Sequence, residues 1–283
     1  MSSTPGTDPA DLTRKERREQ ARAERKAIEE SQKASAQRRR LMQLGGVVGV
    51  VVVIIAIILV ATSGGGAHKL KATQTGSAVP HAAEVQARFA GIPQKGAELG
   101  NPKAPVTLQE YADLQCPFCR QYTLSVLPTL VSKYVRDGKL RMEFHNFDII
   151  GPDSIKASKM AGAAGQQNLL WNYADLFYNN QQEENSGYVT DQFLTQIASG
   201  VKGLNVNKAL SERFSPAVEG KINNDNQLAR VYGSQYANLP VPGFNGTPSF
   251  LLYKTGTTPQ LYSPTSLTEP AVFEGAINKL LKG

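Results

Sequence analysis

Only two cysteines and three histidines occur in the 283 residues of this chain. So small a stock of soft ligands argues against a zinc centre, because a tetrahedral structural site needs four ligands and one cysteine pair supplies half. Two chains sharing one ion would be the remaining route. HExxH, GxSxG and glycine-rich phosphate-binding stretches are all missing, which removes the signatures of zinc proteases, serine hydrolases and P-loop enzymes. Internal repeats and sustained heptads are missing too, so no solenoid or coiled coil is implied. The net charge of +7 is unevenly placed: residues 1–40 hold eleven Lys and Arg against seven Asp and Glu. No aromatic residues interleave that basic run, and nucleic acid is therefore not an expected partner.

What is present divides the chain. Residues 1–40 mix both charge signs without an apolar stripe and read as a charged cytoplasmic tail, disordered or forming a solvated helix. Residues 41–62, "LMQLGGVVGVVVVIIAIILVAT", carry no charge and are long enough to cross a bilayer as one helix. A buried core helix and a cleaved signal peptide are the alternatives, although "ATSGGGA" offers no clear small-x-small cleavage site. Arg38, Arg39 and Arg40 favour a cytoplasmic N-terminus, which puts everything after Thr62 outside the membrane. The basic tail would lie within reach of anionic lipid. Residues 63–90 read as a Gly-, Ser- and Ala-rich linker in which His68 and His81 are solvated. One folded domain is expected over 91–283.

The two cysteines stand three apart in "DLQCPFCRQY", as Cys116 and Cys119. A bridge across two residues constrains almost no chain, whereas a structural disulfide gains from closing a long loop. The spacing therefore points to chemistry. An apolar β-rich run ends just before the pair, and apolar residues at helical spacing follow it from Leu124 to Val135, so the pair falls on a strand-to-helix turn. Cys116 would sit at the N-terminal edge of the helix, where free N–H groups and the helix dipole favour a thiolate. Pro117 suits the first turn, and Cys119 lies one turn in on the same face. The expected arrangement is an exposed nucleophile, Cys116, and a shielded partner, Cys119.

Two further stretches bear on that turn. Alternation along residues 106–111 places Glu110 on the same side as Val106 and Leu108, so burial would raise its pKa and make it a proton acceptor for Cys119. A glutamate near a strand end that reaches water is the other reading. In "GTPSF", Pro248 precedes an apolar run where it cannot donate to a ladder; a cis Thr247–Pro248 bond or an ordinary turn would each account for it. The spacing predicts strand 106–112, helix 117–136 bent at Pro128, and strand 140–147 as a parallel βαβ unit. Helices follow between about 153 and 236, one of them capped by Thr190 or Asp191 and ended by Gly200. Strands near 249–253 and 259–262 and a helix near 268–281 complete the chain. His145 reads as a packed core histidine, and Trp171, Tyr173, Phe177 and Tyr178 as core aromatics.

The cysteine pair, the acidic residue upstream and the proline loop, in that order, resemble the DsbA-like thiol–disulfide oxidoreductases of the thioredoxin superfamily. "WNYADLFYNNQ" is similar to a helix of that family's inserted subdomain. The resemblance implies an α/β thioredoxin fold with a helical insertion at about 153–236, here preceded by one transmembrane helix. It implies Cys116 as the attacking and Cys119 as the resolving cysteine, Glu110 as the buried acid, and Pro248 as the cis-proline facing them. The Thr247 backbone would hold an extended substrate, with Pro117 and Phe118 also at the substrate surface; no cofactor and no metal are implied. Strongly oxidising members often carry Pro-His between the cysteines; Phe118 offers no ring N–H, which implies a less oxidising pair. Where some members carry a lysine near the acid, this chain has Met142 beside Arg141.

The expected activity is membrane-tethered disulfide donation to exported cysteine-containing polypeptides, with a DsbB- or VKOR-like membrane protein as reoxidant. A reductase or isomerase of the same fold is the alternative within the class. A thioredoxin-like binding or chaperone module without turnover is the alternative outside it.

Overall fold

The computed structural model describes residues 79–236 and 244–282. The expected tail, membrane helix and His68 lie outside the described residues, and among those described no helix is long and apolar enough to cross a membrane. In chain order the elements are α1 (Ala82–Phe89), β1 (Gln94–Lys95), β2 (Glu98–Leu99), β3 (Val106–Ala112), α2 (Pro117–Ser125), α3 (Leu127–Leu130), a π-helical turn (Val131–Val135) and β4 (Leu140–Asn146). Then come α4 (Pro152–Gly165), α5 (Leu170–Asn179), α6 (Asp191–Gly200), α7 (Val206–Glu212), α8 (Pro216–Gln235), β5 (Ser249–Lys254), β6 (Leu261–Tyr262) and α9 (Pro270–Lys282).

The six strands form one sheet in the order β1-β2-β4-β3-β5-β6. β3 and β4 run parallel, joined through α2 and α3 as the spacing predicts, and the other pairings are antiparallel. β3 lies between β4 and β5 and is buried along almost its whole length, as a strand covered on both faces must be. Val106 and Leu108 face the larger core with Cys119, Tyr122, Phe250 and Phe273. Tyr111 faces a smaller one with Phe147, Ala229, Phe244, Leu251 and Tyr253, beneath α8. The helical insertion, α4 to α8, occupies the interval between β4 and β5.

Pro128 has no N–H to give to the preceding turn, and its ring crowds the carbonyl four residues back. The helix predicted over 117–136 is accordingly interrupted at Val126 (φ −104°), restarts at Leu127 and closes in a π turn where Arg136 N donates to Val131 O (3.0 Å). α6 is capped by the Thr190 hydroxyl, which accepts from Phe193 N at 3.1 Å.

The linker expected over 63–90 is corrected at its end. Residues 82–89 are α1, which buries Val85 and Phe89, and Arg88 pairs with the buried carboxylate of Asp175 on α5. Six of its eight residues are charged, polar or alanine, which a linker would also tolerate, and only the long-range partners reveal it. His81 is exposed, as expected; it occupies the N-cap position of α1 in a left-handed backbone (φ 66°), makes no side-chain cap hydrogen bond, and meets Glu84 at 3.2 Å.

Candidate active site

The turn from β3 into α2 is held from several sides. Asp113 accepts from Gln115 N with one carboxylate oxygen (2.8 Å) and from Ile149 N and Ile150 N with the other (2.9 and 3.0 Å). Its backbone carbonyl accepts from Cys116 N (2.9 Å) and from the Tyr178 hydroxyl (3.1 Å). Gln181, just past α5, donates its amide to the carbonyls of Leu114 (2.8 Å) and Cys116 (3.2 Å). None of Asp113, Tyr178 or Gln181 was singled out for a role at the turn from the sequence. In the sequence Tyr178 carries only a core signature, and the partners of Gln181 lie more than sixty residues away in the chain.

Cys116 is the N-cap of α2, in extended backbone, and Pro117 opens the helix. Its thiol donates to the Thr247 carbonyl at 3.1 Å, and the Thr247–Pro248 bond is cis. The structure thus brings Cys116, Cys119, Thr247 and Pro248 together, with Glu110 behind them on β3. The expectation that Cys116 is exposed is corrected: it is 4% exposed, because the Thr247–Pro248 loop lies across it. Pro117 and Phe118 are the parts of the turn that solvent meets, Phe118 at 55%. An open groove of about 520 Å³ leads away from the proline loop, lined by Thr247, Pro248, Phe250, Leu261, Tyr262 and Leu267.

The two thiols differ in acidity. A hydrogen bond from Cys119 lowers the Cys116 pKa to about 7 against the opposing effect of burial, helped by Thr247 and by the backbone N–H groups of Cys119 and Phe118 at the helix start. Burial pushes Cys119 well up, reinforced by its hydrogen bond to Cys116 and by the negative charges of Cys116 and Glu110.

Glu110 is 1% exposed and stands opposite Phe144 on one side and Phe250 on the other. Burial raises its pKa to about 8, with the Cys116 charge adding to the shift. Among the described residues no cation relieves it: Met142 is buried in the larger core, and Arg141 pairs with Glu143. Of the two readings of Glu110, water contact is therefore corrected in favour of burial.

His145 departs from a plain core histidine. It stacks on Tyr111 (4.5 Å) and bonds Asp225 through Nδ1 (2.9 Å); burial pulls its pKa down, but Asp225 and Glu143 hold it above the ordinary value. Trp171, Tyr173, Phe177 and Tyr178 are all in the core, as expected.

One thiol ionised near neutrality and a second kept protonated beside a buried carboxyl can together take up and hand on a disulfide, with a place for the proton. On a sheet of this connectivity, with a cis-proline against the first sulfur, that chemistry defines a thioredoxin-fold thiol–disulfide oxidoreductase. The chain belongs to the thioredoxin family, whose model matches residues 94–258. It is 30% identical over 156 residues to the probable disulfide bond formation protein D of Bacillus cereus, covering 54% of this chain and 72% of that protein. The corresponding protein of Bacillus anthracis is 29% identical over 160 residues, with the same shares covered. Among solved structures, oxidised BdbD from Bacillus subtilis superposes with a TM-score of 0.55 at 17% identity, over 68% of this chain and 98% of that one. The α-DsbA1 structure from Wolbachia pipientis gives 0.52 at 24%, over 65% and 89%. Those two likenesses establish the fold. The chain is a DsbA-like protein disulfide oxidoreductase.

Proposed function

We propose that this chain is a membrane-tethered oxidase that works outside the cytoplasm and introduces disulfides into exported cysteine-containing polypeptides. The observation that carries the reading is the Cys116 thiol at the start of α2, bonded to the Thr247 carbonyl beside a cis-proline. In the oxidised enzyme a substrate thiolate attacks the Cys116 sulfur; a substrate–Cys116 bond forms as the Cys116–Cys119 bond breaks. Cys119 leaves as a thiolate and takes the proton of Glu110, which solvent later restores. A second substrate thiolate then attacks the first substrate sulfur, and Cys116 leaves as a thiolate stabilised by the helix start. Thr247, freed of the thiol, accepts a backbone hydrogen bond from an extended substrate segment, which reads shape and tolerates many sequences. Pro117 and Phe118 form the exposed apolar edge beside it.

The uncharged segment 41–62 with Arg38, Arg39 and Arg40 before it supports a single bilayer crossing with the tail 1–40 in the cytoplasm. Reoxidation then falls to a DsbB- or VKOR-like membrane protein, which takes two electrons from the reduced pair. Replacing Cys119 with Ala removes the thiol that can attack a substrate–Cys116 bond from within the enzyme, so such a bond is no longer resolved there. The variant is expected to accumulate mixed disulfides with exported proteins, visible on non-reducing gels; a gel without them contradicts the reading and favours a binding module. Phe118, which offers the thiolate no positive charge, favours a second reading as reductase or isomerase.

A further inference from the structure

Asn245–Gly246 is the one Asn-Gly step in the sequence. It stands immediately before Thr247, whose carbonyl accepts from the Cys116 thiol. Glycine after asparagine permits a reaction that other residues hinder: its backbone nitrogen, unscreened by a Cβ, can attack the asparagine side-chain amide carbon and close a five-membered succinimide. The local structure leaves that route open. Asn245 is exposed, and its side chain has no hydrogen-bond partner among the described residues. The Gly246 carbonyl is held by the Ser249 hydroxyl at 2.7 Å, while the Gly246 N–H has no acceptor among the described residues. An amide committed to a ladder would be protected. Asn172 and Asn179, by contrast, are bonded within the fold, and each precedes a residue with a side chain. Asn245 and Gly246 also line the open groove beside the proline loop, which gives water access to both.

We propose that Asn245–Gly246 is a self-modifying site that ages the active site: spontaneous loss of ammonia leaves a carboxylate beside the Thr247–Pro248 loop and weakens the Cys116 thiolate. In the first step the bond from Gly246 N to Asn245 Cγ forms and the Cγ–Nδ2 bond breaks; the side-chain nitrogen leaves as ammonia with the Gly246 amide proton. Water then opens the ring at either carbonyl, giving aspartate or isoaspartate. No oxidant or reductant takes part. Both products add one negative charge two residues before Thr247, and isoaspartate also lengthens the main chain there by one atom. Cys116 owes its acidity to hydrogen bonding with Cys119, then with Thr247 and the helix start. Its titratable neighbours, Cys119 on α2 and Glu110 on β3, are both held towards the protonated form by burial. A new charge on the loop therefore opposes the thiolate directly. This holds whichever way the disulfide is passed.

The full chain, aged for days at mildly alkaline pH, should gain one mass unit on the tryptic peptide Val231–Lys254, placed at Asn245 by fragmentation, with isoaspartate detected by enzymatic methylation. A Cβ added at Gly246 meets nothing within 4 Å. Gly246→Ala should accordingly keep the loop yet slow the gain by on the order of tenfold, because the methyl screens the attacking nitrogen. Asn245→Asp, which carries the product charge from the start, should raise the Cys116 alkylation midpoint by about half a unit, roughly a threefold fall in the ratio of thiolate to thiol. A parent that gains no mass, or a Gly246→Ala protein that gains it as fast, overturns the modification. An unmoved Cys116 midpoint in Asn245→Asp overturns its effect on the site. Should Gly246→Ala not fold, Asn245→Gln decides in its place, because glutamine closes the larger ring far more slowly.

Discussion

Cys116 and Cys119 share one turn of helix and have opposite fates because one sulfur meets hydrogen-bond donors and the other meets the apolar interior. Alkylation of the reduced protein should therefore be confined to Cys116 and should follow a midpoint near 7, below the free-cysteine value of about 8.5. A midpoint at the free value, measured with iodoacetamide and peptide mapping, contradicts the assignment. Glu110 has the reverse sign. Its pKa is raised from 4.5 to about 8 on folding, so its contribution to stability is complete below pH 4.5 and is lost as pH rises through 8. Glu110→Gln should match the parent near pH 4 and exceed it by on the order of 3 kcal/mol at pH 8 in chemical denaturation, while its exchange slows. The cysteines, the acid and the proline were legible because each sits beside a local pattern. The cover over Cys116 was not, since the residues that shield it come from a loop 131 positions away.

At the scale of elements, α1 and the broken helix carry the lesson. Pro128 announces its own interruption, but α1 is short, and its stability comes from partners far along the chain: Arg88 reaches Asp175, and Arg136 donates to the carbonyls of Arg88 (2.9 Å) and Ala90 (2.9 Å). Arg88→Ala leaves Asp175 buried without its cation. It should cost about 3 kcal/mol at neutral pH, with most of the loss recovered in Arg88→Ala/Asp175→Asn; full stability in the single variant would contradict the docking of α1. At Gly200 an added Cβ would lie 2.8 Å from both Leu176 and Val79, so Gly200→Ala should lower stability by about 1–3 kcal/mol. The sequence shows that glycine only as a helix end. Its close packing is the part that spacing does not reveal.

The whole molecule joins a thioredoxin-family domain to a basic tail and an uncharged 22-residue stretch, and its proposed direction of work follows from where that domain would stand. The parallel βαβ unit and the insertion were readable because strand and helix periodicities differ. The two-residue strands β1 and β2 were not, because two residues carry no period. The full chain should stay with membranes through carbonate washing, and release into the wash would contradict the tether. Direction of transfer depends on how far the folded protein favours the reduced pair, and here the thiolate is stabilised, though without a charge from Phe118. The decisive measurement is the equilibrium of the full chain with glutathione. The account predicts a potential of about −200 mV, between the strongest oxidant of the fold near −120 mV and thioredoxin near −270 mV; a value at or below about −270 mV would contradict an oxidase.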